Sequence, residues 1–196
     1  MRLQIAVLAL TAGLLADGGF AVEPGPLGQW RSLWVRDTGK GRVTVDESMR
    51  RGGKPAIRVE HLGQHDWSLT SQSQVKVVEG DIIELSARLK IKGSGRGEIS
   101  VTTYDAKGKV VEWMYGLRSA RAGDWRPISS RFIIPPGVVS IVPRLTGVEP
   151  ATVWMHEFVW KNTGNLKALR AKGLPERVTV SNNAIEVTFV TASAAL

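Results

Sequence analysis

The sequence contains no cysteine. Disulfides, thiolate nucleophiles and cysteine metal sites are therefore excluded together. A long basic run is also missing, although the formal net charge is +8. The cations are spread through Arg50, Arg51, Lys90, Lys92, Arg96, Arg118, Arg121, Lys167, Arg170 and Lys172. A diffuse positive field of this kind suits solubility or attraction to an acidic polymer, not a nucleic-acid arm. The chain carries no nucleophile elbow and no paired acids at strand ends, and Glu98, Asp105 and Glu112 stand scattered. The glycine-rich Lys92-Gly93-Ser94-Gly95-Arg96-Gly97 superficially resembles a phosphate loop. A strand comes after it where a helix N-terminus would be needed, so a hairpin turn is expected there. The chain itself is thus not expected to be an enzyme.

What is present points to β structure. Of 196 residues, 43% are hydrophobic, enough for one core, and 21 glycines and 9 prolines supply many turns. Residues 1–21 read as a signal peptide: Arg2, a short apolar run, then Gly19-Phe20-Ala21. A secreted or periplasmic location is the corresponding expectation. Residues 22–162 read as one β-sandwich, 163–176 as a linker with a short helix or turn from Asn165, and 177–196 as a hairpin around Ser181-Asn182-Asn183. That hairpin either docks on the sandwich or opens a second domain, because two strands rarely stand alone.

The stretch 123–160 organises the sandwich. Ile128, Ser130, Phe132 and Ile134 alternate with Pro127, Ser129, Arg131 and Ile133, the period of a strand. Pro135-Pro136-Gly137 forces a turn. In the last run, Trp154, His156, Phe158 and Trp160 fall on one face and Val153, Met155, Glu157 and Val159 on the other, as in a central strand. Earlier, Ile83, Leu85, Ala87, Leu89 and Ile91 alternate with Glu84, Ser86, Arg88 and Lys90, a half-buried strand. About ten short strands with turns every eight to twelve residues indicate a sandwich or barrel.

These motifs carry a resemblance. Trp67 with Val75-x-Val77, Glu79-Gly80-Asp81, Gly123-Asp124-Trp125, Phe132-x-x-Pro135-Pro136-Gly137 and residues 152–158 resemble the jelly-roll, galactose-binding-like carbohydrate-binding modules that precede bacterial glycoside hydrolases. The resemblance covers residues 30–160. It implies an all-β jelly-roll fold, a polysaccharide or oligosaccharide ligand, a neighbouring catalytic domain and a structural calcium near the final strand. Where the family usually carries an Asp-Asp pair, this chain has His156-Glu157. The tail from Val178 is similar to the opening hairpin of a β-rich domain that often comes next in such enzymes.

Sugars stack on aromatic rings while polar side chains hold their hydroxyls. Trp113 and Tyr115 lie two apart on one strand, so both rings are expected on one groove. Trp67 and Trp125 are expected in loops, and Glu84, Arg88 and Arg144 point away from apolar faces. Trp34, Trp154 and Trp160 are assigned to the core. Glu157, between Met155 and Val159, is expected on an apolar face; there it needs a cation or an arginine. His61, His65 and Asp66 are weighed as a metal cluster and read instead as solvated loop residues. The expectation is a secreted, non-catalytic carbohydrate-binding or ancillary module. Its rivals are a structural interdomain sandwich and a small jelly-roll hydrolase or lyase.

Overall fold

The computed structural model describes residues 27–170 and 177–190; the expected signal peptide lies outside them. The strands are β1 (Trp34–Val35), β2 (Gly41–Arg51), β3 (Lys54–His61), β4 (Asp66–Thr70), β5 (Val75–Lys76), β6 (Asp81–Tyr104), β7 (Val110–Ile133), β8 (Ser140–Val148) and β9 (Ala151–Asn165). A five-residue helix α1 (Leu166–Arg170) comes next, then the hairpin β10 (Arg177–Ser181) and β11 (Glu186–Val190).

β6 and β7 are each 24 residues long and form one antiparallel hairpin. Its turn is set by Asp105, whose Oδ1 accepts the N–H groups of Lys107 and Lys109, both at 2.9 Å. Residues 81–93 of β6 pair with β9, whereas residues 96–104 pair with β8. The hairpin therefore belongs to two layers. One runs β2-β3-β9-β6-β7 and the other β1-β4-β8-β6-β7, with β5 also on β8. The glycine-rich stretch is thus no hairpin turn: it is where β6 passes from one layer to the other. Gly93 has φ +110°, and a Cβ there would lie 2.6 Å from the Pro150 carbonyl oxygen, so only glycine fits.

The core lies between the layers and obeys the period-two pattern. Ile83, Leu85, Ala87, Leu89 and Ile91 of β6 meet Ile99 and Val101 further along it, with Leu145, Val153 and Met155. The turn at Pro135 closes through the Val138 N–H on the Pro135 carbonyl. Burial of such side chains contributes roughly 1.5–3 kcal/mol each before chain entropy is counted.

The alternation of β9 breaks at Glu157. This residue has φ +52°, and the register with β6 shifts between Ser86 and Arg88, the signature of a bulge. One extra residue reverses the facing of the side chains beyond it. Phe158 thus joins the core side with Val153 and Met155, its ring meeting Trp30 edge-on at 4.9 Å. Glu157 leaves the apolar face: its side chain is 52% exposed and holds Arg51 at 2.7 Å. The residues around it do not fit the calcium that the resemblance implied. Among the described residues no group of three His, Asp or Glu side chains comes together. His61 is buried with Nδ1 on the Glu149 carbonyl, His65 binds Asp37, and Asp66 binds Arg36.

Every residue from 177 to 188 is exposed. β10 and β11 pair as an antiparallel hairpin, with Asn182 Oδ1 accepting the N–H groups of Ala184 and Ile185.

Candidate binding cleft

Residues paired across an antiparallel ladder share a face. In the β1-β4-β8-β6-β7 layer, Trp34 pairs with Ser68, Ser68 with Thr146, and Thr146 with Glu98. The next row is Thr70, Arg144 and Ser100. These residues alternate with Val35, Trp67, Leu69, Leu145, Ile99 and Val101, which face the core, so the polar set faces outward.

This outer face is unusual in being sunk. Ser68, Glu98, Ser100, Thr102 and Thr146 are all buried although they point away from the core. Two tryptophans stand over them, one on each edge strand: Trp34 on β1, 50% exposed, and Trp113 on β7, 59% exposed. Four strand spacings separate β1 from β7, roughly 19 Å at about 4.8 Å each.

Arg144 occupies the middle. Its Nε and Nη2 donate to Ser68 Oγ at 3.0 and 2.8 Å, and its Nη1 donates to Thr102 Oγ1 at 3.1 Å and to the Trp113 carbonyl at 2.9 Å. The guanidinium carbon lies 5.6 Å from the Trp113 ring centroid, a cation–π contact. Burial pulls its pKa below the ordinary arginine value. At the flanks, Arg36 binds Asp66 and covers Trp34 at 5.6 Å. Arg96 holds Glu98 at 2.6 Å, and Thr146 donates to the same carboxylate. Both carboxylates are thus held by arginines. The Ser100 hydroxyl is sealed beneath this layer without a hydrogen-bond partner.

Of the residues expected from sequence, the structure brings Trp113 and Arg144 together here. Trp67 is a correction: it lies in β4, not in a loop, 1% exposed in the core. Tyr115 is another. Register shifts on either side of it insert extra residues into β7, turning its ring inward against Phe132 while Trp113 stays outside. Its hydroxyl donates to the Ile133 carbonyl at 2.8 Å, and burial raises its pKa.

Glu84, Arg88 and Trp125 lie on the outer face of the other layer. Glu84 meets Arg131 at 3.5 Å. Arg88 is opposite His156, on which Trp125 stacks at 4.8 Å. Trp154 is buried there, on the outside of the sheet, with its indole N–H on Asp46 Oδ2 at 2.8 Å and Arg58 over its ring. Trp34 and Trp160, assigned to the core, are 50% and 40% exposed.

Sequence reasoning missed Trp34, Glu98 and the hydroxyl floor. The usable signal was the polar parity of three strands: Asp66, Ser68 and Thr70 around Trp67 and Leu69; Glu98, Ser100 and Thr102; and Arg144 with Thr146.

No family model matches the sequence, and no curated protein matches it. Solved structures do resemble it. The CBM22-1–GH10 modules of Clostridium thermocellum endo-1,4-β-D-xylanase 10B, complexed with xylohexaose, match at TM-score 0.54 and 18% identity. The match covers 69% of this chain and 26% of that one. The C-terminal family 22 carbohydrate-binding module of the same xylanase matches at TM-score 0.51 and 15% identity, over 72% of this chain and 90% of the module. The enzymatically active domain of bacteriophage CBA120 tailspike protein 4 matches at TM-score 0.53 and 12% identity, over 68% of this chain and 19% of that one. This chain thus spans about a quarter or less of the larger proteins and most of the isolated module. Its described sandwich has the jelly-roll fold of the family 22 carbohydrate-binding modules.

Proposed function

We propose that the protein is a non-catalytic carbohydrate-binding module and that a polysaccharide chain lies across the β1-β4-β8-β6-β7 face. The observation that carries this reading is the pair of exposed rings, Trp34 and Trp113, at opposite edges of one sunken floor of hydroxyls and charge. Rings on both rims supply stacking surfaces; Arg144, Ser68 and Thr102 supply donors and acceptors between them. One structure sharing the fold is described as a xylan-binding domain, from Paenibacillus barcinonensis Xyn10C. A xylan-like chain is accordingly the first ligand to try. Catalysis is not part of the proposal, because Asp66 and Glu98 are each neutralised by an arginine. Export through the residues 1–21 signal and a neighbouring catalytic domain belong to the same reading.

Replacing Trp113 by Ala removes a 59% exposed ring, so the fold should survive. Retention on a polysaccharide affinity gel should weaken by roughly 2 kcal/mol or more, about thirty-fold. Unchanged retention with an unchanged melting curve would remove the cleft from the reading.

A further inference from the structure

We infer that the cleft selects an anionic glycan, one carrying carboxylates such as uronic acid branches, and that Arg144 reads the acid; this rests on the proposed carbohydrate-binding function. Of the cleft arginines Arg36, Arg96 and Arg144, only Arg144 meets no carboxylate at ion-pair distance among the described residues, Asp66 acting on it only from further off. Arg36, Arg42, Arg50, Arg51, Arg58, Arg96 and Arg131 each meet a carboxylate. Arg144, partly buried in the centre of the cleft, has no ion pair among the described residues. Its partners are two hydroxyls and one carbonyl, all neutral. The two cleft carboxylates that lie on the same face, Asp66 and Glu98, are already committed to Arg36 and Arg96.

A cation drawn out of water without an opposite charge is costly, and a ligand carboxylate would offset that cost. The geometry leaves room for one. Nε and Nη1 have all their hydrogens placed on Ser68, Thr102 and Trp113, whereas Nη2 has one bond, to Ser68, and a second hydrogen uncommitted. The guanidinium lies over the exposed Trp113 ring. Sugar stacking is left to the ring's other face, from which a branch substituent can reach round the rim to Nη2. A charge-assisted bond there is about twice as strong as one to a neutral hydroxyl. The chain's formal charge of +8 adds a long-range attraction of the same sign.

The test is titration calorimetry of the full chain against xylan bearing glucuronate branches and against the same xylan after chemical reduction of its carboxyls to alcohols. The native polymer should bind about ten-fold tighter, and Arg144→Gln should weaken binding of the native polymer more than that of the reduced one, closing the gap between them. Arg144→Lys, which keeps the charge, should retain part of the preference. Equal affinity for both polymers would overturn the inference and leave the carbohydrate-binding reading standing. A preference that survives in Arg144→Gln would also overturn it, assigning the effect to diffuse surface charge. Binding to neither polymer by a folded protein would sink both readings.

Discussion

At the scale of single residues, backbone conformation decides more than side-chain type. Glu157 stands at φ +52°, a region that costs a non-glycine residue roughly 1–2 kcal/mol. Its compensation is an exposed ion pair with Arg51, worth little. Glu157→Gly should leave the fold intact and raise stability by about 0.5–1 kcal/mol, measured by urea denaturation; a loss of more than that would mean the ion pair matters more than the strain. Addition of a chelator should not move the melting midpoint, since the carboxylate is occupied by arginine. The residue scale is also where the sequence misleads. Trp67 and Trp113 are the same side chain, yet one is sealed and the other exposed. Composition cannot separate them; only the parity of their strands does.

Individual strands were legible where the period of two is unbroken. The run from Ile83 to Ile91 and the turn at Pro135 obey alternation and turn chemistry. Three features were not legible, two of them because an inserted residue leaves no mark on composition. The bulge at Glu157 reversed the assignment of Phe158, and the two register shifts around Tyr115 parted it from Trp113. The passage of β6 between layers was hidden in a glycine-rich segment that looked like a turn. Glycines there are needed for close approach, not for reversal. Gly93→Ala should consequently destabilise by roughly 2–4 kcal/mol, because the added Cβ meets a backbone carbonyl that cannot move aside. Gly108→Ala, also at positive φ but with nothing within 4 Å, should cost about 1 kcal/mol. Equal melting points for the two variants would contradict the layer crossing as the reason for glycine at 93.

For the whole molecule, acid should be the denaturing side. Asp37 is held below the usual carboxylate range by His65, Glu60 by Arg42, Asp66 by Arg36, and Asp46 by Ser48 and Trp154. At Asp81 burial pushes upward, but the Asn165 amide and the Val78 N–H outweigh it and the net shift is again downward. A carboxylate lowered by folding contributes stability above its unfolded pKa of about 4 and loses it as pH falls through the folded value. The melting temperature should therefore hold steady from about pH 7 to 5 and fall below about pH 4. A midpoint that rises on acidification would contradict these downward shifts.

The fold is one ribbon doubled over, and this has a mechanical consequence. Trp113 sits on a strand that continues without interruption into the opposite layer. A polymer pulling on that ring cannot peel one layer from the other, as it would in a sandwich made of separate leaves. The tension runs along the peptide chain and is spread over the rungs joining β6 to β7, which bear it together.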